Sequence, residues 1–239
     1  MDRFAIVTGD ITASDAEAIV SAANRTLLGG SGVDGAIHAA AGPELLAECR
    51  TLHGCETGQA KLTQGYRLQA RYVLHTVGPI WQGGGHGEAA ALAACYRSCL
   101  ELAREHCIDS VDFPSISTGV YGYPMAQAAS VALKAIMEDL RTHDHPCRVR
   151  MVCHTEDAAS IYRQTYNLWY AEIGCDHFTP NQKGAALPLL FLLIESILTQ
   201  THCASIFSFS SVRYIHRSVF SSRAASSSAC LACNSWRRT

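Results

Sequence analysis

Nowhere in its 239 residues does the sequence carry a Gly-x-x-x-x-Gly-Lys-[Ser/Thr] run. The backbone cradle and lysine used to hold a nucleoside triphosphate for hydrolysis are therefore missing. It also lacks a Gly-x-Ser-x-Gly elbow, which argues against a serine esterase. Charge is sparse, at 17% of residues, with a net of −2. With no basic excess there is no bulk attraction to nucleic acid, and any bound phosphate must be held by local geometry. No apolar run reaches the roughly twenty residues of a membrane span. The strongest, Ala185 to Leu198, is interrupted by Pro188 and Glu195. No signal-peptide pattern opens the chain, because Asp2 and Arg3 lead at once into a strand-like run, so a cytoplasmic location is expected.

A disulfide framework is missing too, although the chain has 11 cysteines. Cys95, Cys99 and Cys107 fall in a helical pattern and Cys153 ends an apolar strand, so reduced thiols in a cytosolic core are expected. Cys230-x-x-Cys233 has no second half, and four-ligand metal chemistry needs one. His143-x-His145-x-Cys147 reads as a solvated helix–strand turn in preference to a metal site.

What is present is a globular composition, 48% hydrophobic, with a change near residue 172. Residues 1–171 hold 13 Lys+Arg and 18 Asp+Glu, a net of −5, whereas 172–239 hold 6 and 3, a net of +3, with 12 serines. One folded domain over 1–171 and a C-terminal extension over 172–239 are expected. The extension has three open readings: a disordered tail with one short apolar helix, a peripheral membrane anchor, or sequence not selected for folding.

Within 1–171 strands alternate with helices. Phe4–Val7, Ala18–Ala22, Tyr72–Thr76, Ser110–Phe113 and Val149–Cys153 are short apolar runs, as in strands buried on both faces of a mostly parallel sheet. Helical periodicity marks Val33 to Ala41, stopped by Gly42-Pro43, then Glu88 to Cys107, the stretch after Pro124, and Asp157 to about Tyr170. This is an α/β pattern with three layers, and ligands in such folds sit beyond the carboxyl ends of the strands.

Two loops fall there. Leu28-Gly-Gly-Ser-Gly-Val-Asp-Gly-Ala-Ile-His38 can approach a ligand closely and opens a helix whose N–H groups favour phosphate. Its Gly30-x-Gly32-x-x-Gly35 spacing matches a dinucleotide fingerprint, but that pattern needs a second buried strand ending in an acid about twenty residues on. Arg50 to Gly65 is polar and offers none. Asp34 and His38, four apart, share one helix face. A carboxylate beside a phosphate cradle is out of place unless it faces a sugar hydroxyl or a water; the alternative is an acid complementing the helix dipole. The second loop, Ser117-Thr118-Gly119-Val120-Tyr121-Gly122-Tyr123, offers hydroxyls, bare N–H groups and aromatic walls.

Together these segments resemble the macrodomain family, in its MacroD-type branch. The matching runs are Gly9-Asp10-Ile11-Thr12, Ala18-Ile-Val-Ser-Ala-Ala-Asn24, Leu27 to His38, Ala41-Gly-Pro43, Thr57-Gly58, His75-Thr-Val-Gly-Pro79 and Phe113 to Pro124, in order, covering about residues 2–170. The resemblance implies a three-layer α/β/α domain with a mixed, mostly parallel sheet, binding ADP-ribose. Asp10 and the Ile11 backbone would hold adenine. His154 would stack on it where the family has an aromatic residue. The backbone of Gly32 and Val33, with that of Ser117, Thr118, Gly119, Val120 and Tyr121, would cradle the phosphates. Asn24 and Asp34 would face the terminal ribose under Tyr121.

In that branch the reaction is hydrolysis of an acyl ester on this ribose. Asp34 would act as general base, Asn24 would assist, His38 would support, and neither metal nor cofactor is required. The implied substrates are O-acetyl-ADP-ribose and mono-ADP-ribosylated proteins carrying the group on Asp or Glu, with no nucleic-acid partner and a monomeric state. A non-catalytic reader of ADP-ribose is the alternative. Two departures from the family pattern bear on rate: Ser21 replaces an asparagine, and Ser31 interrupts the glycines, where its Cβ is expected to strain a positive-φ position.

Overall fold

Side chains 18 to 23 alternate across the sheet, and this alternation organises the fold. Ala18 and Val20 point into one apolar layer and Ile19 and Ala23 into the other, so a run without polar alternation makes a strand covered on both faces. The structure, a computed structural model, describes residues 3–176, with side chains as far as Trp169. The apolar run from Ala185 to Leu198 and the Cys230/Cys233 pair lie outside the described residues.

The elements in chain order are β1 (Phe4–Thr8), β2 (Ala18–Ala23), α1 (Gly32–Ala41), α2 (Pro43–Thr51), β3 (Ala60–Gln64), β4 (Tyr72–Val77), α3 (Glu88–Glu105), β5 (Ser110–Phe113), α4 (Met125–Thr142), β6 (Arg148–Cys153) and α5 (Glu156–Asp176). The six strands form one sheet ordered β1-β6-β5-β2-β4-β3. Every pairing is parallel except β3 with β4. Leu92 and Tyr96 of α3, Ala132 and Ile136 of α4, and Tyr162 of α5 pack one face. Ile37 of α1 and Leu45 of α2 pack the other, which makes the three layers.

Two elements were not foreseen. Gly42, with φ +91, turns the chain so sharply that Pro43 starts a new helix, α2, at once. The stretch from Arg50 to Gly65, read as strandless, contains β3, whose polar content reflects an edge strand. It is antiparallel and ends at Gln64, so the dehydrogenase pattern still fails for want of an acid. The helix of α3 stops at Glu105, and Cys107 sits beyond it on an exposed turn with φ +53. There it is disulfide-bonded, which corrects the expectation of reduced core thiols at this position. Cys49, Cys55, Cys95, Cys99, Cys147 and Cys153 are free.

One ionic tie fixes the sheet centre. Asp112, buried in β5, accepts from Arg150 of β6 at 2.8 and 2.7 Å and from Ser14 Oγ at 2.6 Å. Multiple partners of this kind offset the cost of burying charge.

Candidate functional site

The carboxyl ends of β1, β2, β5 and β6 open onto one cleft of about 830 Å³. At one end stand Asp10 and His154. Gly9 N–H donates to the Cys153 carbonyl at 2.9 Å, tying the ends of β1 and β6 side by side. Asp10 caps a short 3-10 turn, Ile11–Ala13, its Oδ1 accepting from Thr12 N at 2.9 Å and Thr12 Oγ1 at 2.8 Å. Those bonds hold its carboxyl below the usual range, and the nearby His154 adds to the effect. Ile11 is buried beneath, while His154 is exposed at the rim.

The glycine-rich loop forms the next wall. Asn24 pins it: Oδ1 accepts from Thr26 N at 2.9 Å and Thr26 Oγ1 at 2.6 Å, and Nδ2 donates to the Gly29 carbonyl at 2.7 Å. A Cβ on Gly35 would stand 2.4 Å from the Gly30 carbonyl oxygen, so the loop folds onto α1 only with glycine there. Ser31, expected to be strained, has φ −103 and ψ 173 and caps α1 from ordinary extended backbone. The positive angles fall on Gly29 and Gly32 instead, so the extra Cβ meets no conformational penalty. Gly32 and Val33 bring the head of α1 to the cleft.

Asp34 follows in the first turn, 2% exposed. Its Oδ1 accepts from Ser21 Oγ at 2.8 Å, and His38 Nε2 lies 3.7 Å away. Burial raises the Asp34 pKa, opposed by the Ser21 bond and by His38. Asp34 Oδ2 and His38 Nε2 are buried and have no hydrogen-bond partner. Of the two, the Asp34 carboxylate stands at the wall of the cleft; His38 does not, and stands behind it. Ser21, counted in the sequence as a lost amide, proves to be the direct partner of the acid. Deeper still, His75 bonds Thr63 Oγ1 at 2.9 Å, and burial lowers its pKa to about 3. Cys49 Sγ lies 3.8 Å from His75 Nε2, and burial pushes that thiol up to about 11. The ligand atoms of His38, Cys49 and His75 all lie within 4.8 Å of one another.

The facing wall is the loop from Ser117 to Tyr121. Ser117 holds φ +66, its hydroxyl buried without a partner. Gly78, at the end of β4, permits this, since a Cβ there would fall 2.1 Å from Ser117 Oγ. The turn is closed by Tyr123 N to Ser117 O at 3.0 Å and Gly122 N to Gly119 O at 2.9 Å. Thr118 and Gly119 face the cleft, Val120 is 83% exposed, and Tyr121 is half-buried with its carbonyl accepting from Trp81 N at 2.9 Å. Trp81 packs against Tyr123, ring centres 4.5 Å apart.

The cleft therefore brings together every residue named for ligand binding, and leaves His38 as a supporting group outside it. Sequence reasoning did not single out Gly78, Ser115, Ile116 and Met125, which also line it; the first three fall inside the runs quoted for the resemblance, and Met125 carried no signal. Among the described residues, no Lys or Arg lines the cleft. An anion there must rely on backbone N–H groups and the α1 terminus, and one acid stands beside it.

Comparison with known proteins gives a consistent picture. The Macro domain family model matches residues 20–132. A Macro domain-containing protein of Methanosarcina mazei is 55% identical over 164 residues, 69% of this chain and 88% of its own length. A Salmonella gallinarum protein named O-acetyl-ADP-ribose deacetylase is 49% identical over 164 residues, 67% of this chain and 92% of its own. The Trypanosoma brucei macrodomain, solved in complex with ADP-ribose, superposes with a TM-score of 0.65 at 44% identity, covering 69% of each chain.

Proposed function

The chain belongs to the macrodomain family, and on that premise we propose that it binds ADP-ribose in this cleft and hydrolyses acyl esters of the terminal ribose. Adenine lies between Asp10, Ile11 and His154. The pyrophosphate spans the N–H groups of Gly32-Val33 and the loop from Ser117 to Tyr121, and the terminal ribose meets Asn24 and Asp34 below Tyr121. Substrates are O-acetyl-ADP-ribose and mono-ADP-ribose esterified to protein Asp or Glu. The Salmonella relative's name and the ADP-ribose in the Trypanosoma structure support this reading.

The observation that carries it is the Asp34 carboxylate, buried at the cleft wall with one oxygen unpartnered and its pKa raised by that burial. A raised pKa makes the ionised carboxylate a better proton acceptor. Asp34 takes a proton from a water, whose oxygen adds to the ester carbonyl. The carbonyl–ribose oxygen bond then breaks, and the ribose oxygen takes up the proton. The products are a free carboxylic acid and ADP-ribose. The test is release of ADP-ribose from O-acetyl-ADP-ribose and from a protein mono-ADP-ribosylated on acidic side chains, followed by chromatography. Turnover of at least the acetyl ester is expected.

A second reading, a reader that binds without turnover, draws on one observation: Asn24's amide is already committed to Gly29 and Thr26. Binding by calorimetry with no product from either ester would establish it and end the hydrolase proposal.

A further inference from the structure

The opposite end of the strands carries a separate donor cluster. Asp109 immediately precedes β5, and Cys147 immediately precedes β6, so both sit where these strands begin and the cleft lies where they end. His145 Nδ1 is 3.4 Å from Asp109 Oδ1 and 3.6 Å from Cys147 Sγ. All three ligand atoms lie within 4.8 Å of one another. Zinc bonds of about 2.0–2.1 Å to nitrogen and oxygen and about 2.3 Å to sulfur, set at tetrahedral angles, require N···O and N···S separations of about 3.4 and 3.5 Å. Two edges of that tetrahedron are already in place.

The cluster is also held by the surrounding fold. Asp109 N–H donates to Glu17 Oε2 at 2.9 Å, and its carbonyl accepts from Arg148 N at 3.0 Å. The 143–146 loop is fastened by Arg3, which donates to the carbonyls of His143 at 2.9 Å and Pro146 at 2.6 Å. Arg148, the nearest cation in sequence, turns away to Asp15 at 3.4 Å. His143, the other histidine of the motif, is engaged with Asp139 at 3.4 Å. The structure supplies Asp109 from a distant segment instead. Cys147 is exposed and His145 is 48% exposed at its side chain, so an ion can enter and a water can complete the coordination.

We propose that Asp109, His145 and Cys147 form a surface site for Zn2+ or a similar borderline-soft divalent cation, unconnected with the cleft. Binding converts the Cys147 thiol to a thiolate and releases one proton to solvent. It clamps the 143–147 loop to the start of β5, so the metal stabilises the folded chain by mass action.

The test uses the full chain, reduced and freed of metal, titrated with Co2+ as a spectroscopic probe and with Zn2+ by calorimetry. Wild type should show a thiolate-to-Co2+ charge-transfer band and a Zn2+-dependent rise in Tm. Cys147→Ser should lose one equivalent of band intensity. Cys147→Ser and His145→Ala should each weaken that equivalent at least tenfold, the loss that removing even an outer-shell partner causes. Both residues are exposed, so the metal-free Tm of each variant should match wild type. Unchanged stoichiometry in Cys147→Ser would overturn the site, whether the metal then sits elsewhere in the chain or vanishes only in Cys49→Ala, which would mark the buried His38–Cys49–His75 cluster.

Discussion

Removing the Ser21 hydroxyl isolates what holds Asp34 in its working state. Ser21 Oγ donates to Asp34 Oδ1 at 2.8 Å, and both residues are essentially excluded from solvent. A hydrogen bond to a charged group contributes about 1.5–3 kcal/mol, and burial leaves little solvent screening to reduce it. In Ser21→Ala the ionised carboxylate loses that stabilisation and the protonated form loses much less. The Asp34 pKa, already raised by burial, therefore rises further. The acid limb of the kcat/KM profile for O-acetyl-ADP-ribose moves to higher pH by the same amount, since the base must be deprotonated to act. A group with a raised folded pKa imposes a cost that is absent below its unfolded pKa and complete above its folded pKa. Ser21→Ala is therefore less stable than wild type at neutral pH, and the gap narrows on acidification. The assay is initial rate against pH at constant ionic strength, with thermal melts at matched pH. Superimposed acid limbs, or a shift to lower pH, would refute the role assigned to Ser21.

His154→Phe enlarges the stacking face at the adenine end and should tighten ADP-ribose about two- to tenfold by calorimetry, from the 0.5–1.5 kcal/mol of an aromatic pair; unchanged affinity would remove His154 from the adenine site. Gly35→Ala places a Cβ 2.4 Å from the Gly30 carbonyl oxygen, costing about 1–3 kcal/mol by urea unfolding and weakening ADP-ribose through the displaced loop; a neutral result would show that the loop yields freely. The Glu88 carboxyl is held down at about 2 by its own backbone N–H first, and then by the N–H groups of Gly84, His86 and Gln82, which donate to it. Because that folded pKa is depressed, its stabilisation exists above the usual 4.5 and is lost as pH falls toward about 2. Glu88→Gln should melt a few degrees lower at neutral pH, with the difference closing across that window. A pH-independent difference would contradict the assignment.

The strands and the two loops were legible because their signals are local. Ala18–Ala23 carries a single polar residue, Ser21, on a pleat buried on both faces, and a Gly/Ser run before a helix has few structural alternatives. What stayed hidden depends on partners distant in sequence. Ser21 could be counted as a missing amide, but its bond to Asp34 thirteen residues on needed the β2–α1 geometry. Ser31 was expected to be strained because positive φ was assigned to the whole glycine run, whereas only Gly29 and Gly32 carry it there. Strand β3 is an edge strand whose solvent side takes polar residues, so its hydropathy resembles a loop. Asp109 gave no sign of joining His145 and Cys147 until β5 and β6 paired in parallel.

Asp34, as proposed, performs chemistry and does not mainly bind. Asp34→Ala, assayed with O-acetyl-ADP-ribose and titrated with ADP-ribose, tests it directly. The acid stands where a pure anion site would avoid one, so ADP-ribose affinity should stay within a few-fold of wild type, while turnover falls about 10²–10⁴-fold, the contribution of a general base. A variant that keeps wild-type turnover, or that loses binding and rate in parallel, would contradict it.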